Sequence, residues 1–207
     1  MKSNSIKLGS HNSFSYLPVR QWWMKPFRFV GRCQRVSIEK QLSLGVTFFD
    51  LRLRFDNKGM PIICHGLMEF KTGFDGYIDQ ELSYCNSKKN ITMRVVLELN
   101  KRDERQEKYF IDYCKYLEEK YPHITFVGGN NRLDWNCLNP IYDFKNKLPE
   151  LSHKYSSTTS IFKIDNALIA KIDDWIPYFY ASRFNKFMLD RPYDESTYLF
   201  IDFVDIR

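Results

Sequence analysis

Apolar and polar side chains alternate most clearly in VTFFDLRLRF, residues 46–55. Leu51, Leu53 and Phe55 fall on one face there, and Asp50, Arg52 and Arg54 on the other. That period of two predicts a β-strand. Shorter apolar runs bounded by turn residues predict further strands at 5–10 (SIKLGS), 60–66 (MPIICHG, after a turn at NKG) and 91–100 (ITMRVVLELN). Others are expected at 123–129 (HITFVGG, ended by its two glycines), 166–173 (NALIAKID) and 197–204 (TYLFIDFV). In the charged stretch 101–120, Phe110, Cys114 and Leu117 recur at helical spacing, which predicts an amphipathic helix. Helices are also expected at 36–45, around 77–86 and at 176–188. The stretch 130–160, rich in Asn, Pro, Ser and Tyr, carries no clear period and reads as loop with short helix. No internal repeat is visible.

Strands that alternate with helices favour an α/β fold with a mostly parallel sheet. The chain has neither a G-x-G-x-x-G nor a P-loop, so a closed barrel is favoured over a doubly wound nucleotide-binding sheet. The expected architecture is a single domain over residues 1–207, an irregular, compact TIM (β/α) barrel. At 207 residues the chain is short for that fold, so some helices should be missing or vestigial.

Composition narrows the class. With 43% hydrophobic and 27% charged residues the chain is globular rather than disordered. No apolar run approaches the ~20 residues that span a bilayer. The first residues, MKSNSIKLGSHNS, lack the apolar stretch of a secretion signal, so a cytoplasmic location is expected. Five scattered cysteines without a C-x-x-C argue against a disulfide framework and a zinc site, and for reduced thiols. The net charge of +6 suits an anionic partner but does not choose among nucleic acid, lipid head groups and phosphoesters.

In a parallel barrel, functional side chains gather at the carboxyl ends of the strands. Applied here, that rule brings five residues to one rim. His11 follows the first strand, Asp50 and Arg52 share a face of the second, His65 ends the third before Gly66, and Asp202 lies near the end of the last, which closure sets beside the first. Two imidazoles with an arginine between them suit phosphoryl chemistry: a base, an acid and a cation for the phosphate. Asp50 and Arg52, two apart on a strand, equally suit a structural ion pair. His123 and His153 have no such company and read as structural.

Three blocks, GSHNSF, QLSLGVTFFDLRLRF and ICHG, resemble in order and spacing the X-type catalytic barrel of phosphatidylinositol-specific phospholipases C. The likeness covers about residues 5–66, with weaker likeness at VVLELN and FIDFVD. It implies a distorted TIM barrel that cleaves the glycerol–phosphate bond with the inositol 2-hydroxyl as internal nucleophile. It implies His11 as general base held by Asp202, His65 as general acid for the leaving oxygen, Arg52 on the phosphate, and Asp50 orienting its neighbours. Calcium-using members carry oxygen ligands at the positions of Asn12, Asp50, Arg52 and Asn100. With Arg52 and Asn100 there, one carboxylate remains and a cation is gained, so no metal and no other cofactor is expected. Asn12 stands where metal-independent members usually have Asp, and Asn100 where bacterial members often have Lys; both are expected to contact substrate. The implied partner is a phospholipid or other phosphodiester, not nucleic acid, met by a monomer with peripheral membrane contact. The alternatives are a metal-dependent glycerophosphodiester or sphingomyelinase-D-like phosphodiesterase, and a non-catalytic lipid- or inositol-phosphate-binding barrel.

Shortly after His11 the chain reads VRQWWMKPFRF. Trp22, Trp23, Phe27 and Phe29, interleaved with Arg20, Lys25 and Arg28, have the composition of an interfacial anchor. The same aromatics equally suit packing into the barrel's own wall. Asp174, beside Asp173 at an expected strand end, either contacts a polyol or, the preferred reading, caps the helix that follows.

Overall fold

The computed structural model describes residues 7–99, 101–132, 138–149, 151–153 and 197–206, with isolated positions between 178 and 189. Among the described residues, nine strands form one mixed sheet. In chain order they are β1 (Lys7–Ser10), β2 (Val46–Phe55), β3 (Pro61–His65), β4 (Met68–Glu69), β5 (Ile91–Glu98), β6 (Ile124–Arg132), β7 (Leu138–Pro140), β8 (Leu151–His153) and β9 (Tyr198–Ile201). The path runs β7-β6-β5-β2-β1-β9-β8, with β3 and β4 as a side branch on β2. From β6 through β8 every pairing on that path is parallel. The expected strand 46–55 is matched residue for residue, and β9 pairs in parallel with β1, as the expected site requires.

The expected closed barrel is not seen: among the described residues the sheet is open, an arc between β7 and β8. The expected strand 166–173 lies outside those residues, and so do Asp174 and most of the expected helix 176–188. Two further expectations are corrected. β3 is antiparallel to β2, a hairpin return and not a βα unit, because the NKG turn is too short for a crossover. Nor does the second glycine end β6: Gly128 and Gly129 take φ of +96° and +75° inside it, where the register against β5 shifts between Val95 and Val96. A side chain at Gly129 would meet the Tyr142 carbonyl at 2.0 Å, so this bulge needs glycine.

β2, flanked by β1 and β5, is buried along nearly its whole length on both faces. Its Leu51, Leu53 and Phe55 join one continuous core with Ile63, Val95, Leu97, Phe110, Cys114 and Leu117. The last three come from α4 (Glu104–Lys120), which Asp103 caps by accepting hydrogen bonds from the Arg105 and Gln106 amides. Gln106 reaches in to hold both backbone groups of Phe55, 2.7 Å from its nitrogen and 2.6 Å from its oxygen, and so fixes the end of β2. Three shorter helices complete the described architecture: α1 (Arg28–Gly31), α2 (Ile38–Ser43) and α3 (Tyr77–Asn86). α1 continues a 3₁₀ helix over Trp22–Phe27. The other face of β2 carries Asp50 and Arg52, and charged groups so buried must find partners.

Candidate active site

β1 ends in a tight turn. The His11 amide donates to the Ile201 carbonyl at 2.9 Å, Asn12 adopts φ +43°, and the Asn12 and Ser13 amides donate to Asp50, one to its side chain and one to its carbonyl. Gln34 ties this turn to the end of β9. Its Nε2 donates to the carbonyls of His11 and Ile201, and its Oε1 accepts from the Val204 amide. Asn185 pins the next carbonyls, donating to Asp202 at 2.7 Å and to Phe203 at 3.2 Å. Asp202 is thereby aimed at His11.

The side chains form a buried chain. Asp202 Oδ1 lies 2.7 Å from His11 Nδ1, and Arg52 Nη2 lies 2.6 Å from His11 Nε2. A guanidinium only donates, so Nε2 accepts, and Nδ1–H donates to Asp202. This tautomer leaves the basic lone pair on the Arg52 side. Arg52 Nε donates to Asp50 Oδ2 at 2.8 Å, and Arg94 Nε donates to Asp50 Oδ1 at 2.8 Å. Burial alone would push the Asp50 carboxyl up, but Arg52, Arg94 and His11 outweigh it and hold it well below the usual carboxylate range. The His65 ring stands edge-on to His11, centroids 5.6 Å apart. Its Nδ1 meets the Gly31 carbonyl at 3.0 Å. Burial is the largest influence on His65 and, with Arg52 and Arg132, pushes its pKa down, against an upward pull from Glu98.

The structure thus gathers His11, Asp50, Arg52, His65 and Asp202. His65 arrives by an unexpected route: continuing the Leu53–Ile63 pairing of the β2–β3 hairpin by two residues brings it level with Leu51. Asn12 is fully buried beside them, and neither atom of its side-chain amide has a hydrogen-bond partner. Asn100, the other expected substrate contact, lies outside the described residues. Sequence reasoning missed Gln34, Arg94, Arg132 and Glu98. Glu98 Oε2 faces Arg52 Nη1 at 3.4 Å, while Oε1 accepts from the Gly66 amide at 3.0 Å and faces Arg132 Nη1 at 3.8 Å. A glutamate within VVLELN was itself a signal, since a charge in a strand buried on both faces calls for a partner.

Neither candidate donor set fits a metal ion. Both oxygens of Asp50 and both of Glu98 already face arginines or backbone amides. A calcium ion there would sit against the Arg52 guanidinium, so the residues do not fit one. His11, Cys33 and His65 each bring a potential ligand atom within 4.8 Å of the others. Both nitrogens of His11 are engaged, however, one of them by a cation, and this trio does not fit a metal either.

Trp22 and Trp23 are 79% and 52% exposed, and Phe27 and Phe29 are about half exposed; no residue of the 3₁₀ helix is buried. Packing into the barrel wall is ruled out for these rings. Arg28 is corrected, too: it turns inward and donates to the carbonyls of Tyr16 and Leu17. Gln21 ties the helix to the β3–β4 turn, donating to the Leu67 carbonyl and accepting from the Glu69 amide at 2.9 Å each. Leu67, two residues past His65, is itself 57% exposed. Among the described residues no helix is long and apolar enough to cross a membrane.

Comparison with known proteins agrees with this geometry. Phosphatidylinositol-specific phospholipase C from Listeria monocytogenes shares the fold at a TM-score of 0.54 and 17% identity, over 97% of this chain and 89% of its own. A pentafluoro-Phe form of the Staphylococcus aureus enzyme gives 0.56 and 16%, over 97% and 87%. Another S. aureus structure, concerned with modulation of membrane binding, gives 0.55 and 15%, over 97% and 86%. No curated protein sequence matches the chain. The sequence profile of the phosphatidylinositol-specific phospholipase C X domain matches residues 10–132, which hold the first histidine turn, the Asp-Leu-Arg strand and the second histidine. With more than half its length inside that profile, the chain belongs to the phosphatidylinositol-specific phospholipase C X-domain family and is a phospholipase C-like phosphodiesterase.

Proposed function

We propose that the protein cleaves the glycerol–phosphate bond of an inositol phospholipid without a metal ion, working as a monomer at a membrane surface. One observation carries the reading: the unbroken chain Asp202–His11–Arg52–Asp50, with the His65 ring 5.6 Å from His11. His11 Nε2 takes the proton of the inositol 2-hydroxyl, whose oxygen bonds to phosphorus. The bond from phosphorus to the glycerol oxygen breaks, its electron pair stays on that oxygen, and His65 supplies the proton. The products are a cyclic inositol phosphate and diacylglycerol. Asp202 stabilises the imidazolium that forms on His11, and its 2.7 Å hydrogen bond already selects the tautomer that can act as base.

Arg52 does what a metal would otherwise do. Its fixed charge meets the non-bridging oxygens, and the paired carboxylates of Asp50 and Glu98 hold the fork in place. On phosphate binding, Nη2 passes from His11 to the substrate and frees the base for the hydroxyl. Asn12, adjacent in sequence to His11 and with its side-chain amide buried and unpartnered, suits a contact to the head group. The exposed tryptophans follow Gln21, which is bound to exposed Leu67 two residues past His65, and this supports lipid contact on that side. The parallel run from β6 to β8 and the site at the strand ends support reading the arc as part of an irregular barrel.

The test is phosphorus NMR of purified protein with phosphatidylinositol vesicles, with and without EDTA. The expected result is a cyclic phosphodiester signal that EDTA leaves unchanged and that His11→Ala abolishes. Loss of the signal in EDTA sinks the metal-free reading, and absence of any product favours a non-catalytic lipid-binding role.

A further inference from the structure

We propose that Glu98 is the positioning residue for the acid half of the reaction: it holds the His65–Gly66 turn in place and supplies the anion that lets His65 carry its proton to the leaving oxygen. This rests on the functional reading above. Gly66 follows His65 with φ +57°, and its amide donates to Glu98 Oε1 at 3.0 Å. The Gly66 carbonyl is held as well, by Arg54 Nη2, which also donates to the Glu98 carbonyl at 3.2 Å. Both backbone groups of the residue after the acid are therefore tied to the end of β5, one directly and one through Arg54.

The electrostatics point the same way. From β2, Arg52 and Arg54 approach the acid; from β6, Arg132; from the end of β1, the His11 ring; from beyond α1, Cys33, whose sulfur is 3.9 Å from His65 Nδ1. On β3 itself the neighbour is Cys64, a thiol that burial pushes up to about 12 and so keeps neutral. Among the charged groups acting on His65, Glu98 favours the imidazolium, while Arg52 and Arg132 oppose it. Burial opposes it further, so an acid in this pocket without an anion would lose its proton too readily. Asn12, next to the base, carries no charge. Glu98 is buried, and although burial pushes its carboxyl up, Arg52, His65 and Arg132 outweigh this and keep it ionised. One carboxylate thus serves Arg52 and His65 together, coupling the phosphate cation to the acid.

Glu98→Gln keeps an acceptor for the Gly66 amide and removes the charge; Glu98→Asp keeps the charge on a shorter arm. The first measurement is the NMR titration of the His65 ring, which needs no turnover. Its midpoint should fall by about one pH unit in Glu98→Gln and by less in Glu98→Asp. The second is turnover on two substrates, phosphatidylinositol and an inositol phosphodiester with a nitrophenolate leaving group, which departs without a proton. Glu98→Gln should slow the lipid about tenfold more than it slows the nitrophenyl ester, whose smaller loss reports the Arg52 contact alone, and should move the alkaline limb of the lipid's pH profile to lower pH. An unmoved His65 midpoint, or equal losses on both substrates, overturns the proposal; equal losses would assign Glu98 to Arg52 alone. A wild-type protein that cleaves neither substrate would refute the functional reading, and the titration would still decide the part played by Glu98. Should Glu98→Gln not fold, Glu98→Asp carries the same comparison: a lowered midpoint supports the proposal and an unchanged one ends it.

Discussion

Replacing Trp22 and Trp23 together by alanine separates a membrane anchor from a structural element. A buried tryptophan cut to alanine costs ~3–5 kcal/mol of stability. These two rings are 79% and 52% exposed, on a 3₁₀ helix without a buried residue, so the double variant should lose under about 1 kcal/mol and melt close to wild type. Lipid binding should respond very differently. A tryptophan side chain offers ~150–250 Å². If head-group insertion covers about half of what the two rings now expose, roughly 120 Å² leaves water. At ~25 cal/mol per Å² that is about 3 kcal/mol, or roughly a hundredfold in vesicle partition. The assay pairs vesicle sedimentation with turnover of a short, water-soluble inositol phosphodiester. The expected result is a hundredfold weaker partition, slower lipid cleavage and unchanged cleavage of the soluble substrate. A melting temperature lowered as for a core aromatic, or equal losses on both substrates, would refute the reasoning.

His11→Ala and His65→Ala should each lose ~10²–10⁴ in rate with the fold intact, and either one retaining more than about a tenth of wild-type turnover would remove that residue from its assigned part. Arg52→Lys should lose about a hundredfold, because an ammonium cannot make the parallel bonds of the guanidinium; full activity in the lysine variant would make Arg52 only the structural partner of Asp50. Asp50 and Glu98 have carboxyl pKa values below their unfolded-state values of about 3.9 and 4.3, so their stabilisation is complete above about pH 5 and is lost as pH falls through the folded-state values. His65, lowered below about 6.5, adds a loss of the same sign at the top of that range. The urea midpoint should therefore fall as pH drops from 7 to about 2, most steeply below about pH 4, and Asp50→Asn should flatten that acid part of the decline; an equally steep decline in the variant would contradict the assignment.

How much of this could be read from residues alone depended on whether the information was local. Asp50 and Arg52 were legible because a period of two fixes which side chains share a face, and β2 keeps that period for ten residues. His11 and Asp202 were legible because parallel pairing of the first and last strands brings their ends together, as β1 and β9 do. The direction of β3 was harder. A short apolar run looks alike in a hairpin and in a crossover, and only the brevity of the turn at 57–59 argued for the return. Two glycines mark a strand end and a bulge alike, so Gly128 and Gly129 read as an end in the sequence; the choice is made by the Tyr142 backbone, distant in space until the chain folds.

Gln34 shows why the supporting groups escape a linear reading. Nothing in GRCQRVS distinguishes it, yet its one amide joins the carbonyls of His11 and Ile201 to the amide of Val204. Its function exists only where two strand ends meet, and the sequence between them is more than 160 residues long. Arg94 and Glu98 are different, because they sit in a strand whose other residues, Thr92 apart, are apolar. A buried charge costs several kcal/mol unless paired, so each implies a partner of opposite sign facing it. Asp50 and Arg52, already singled out one strand away, were the charges available, and the β2–β5 register sets Asp50 against Arg94 and Arg52 against Val96. Two charged residues on neighbouring parallel strands therefore specify the network better than either histidine does. They also explain why Arg52 can stay buried beside His11: Asp50 and Glu98 hold it from two sides, so the cation proposed to meet the phosphate is set in place before substrate arrives.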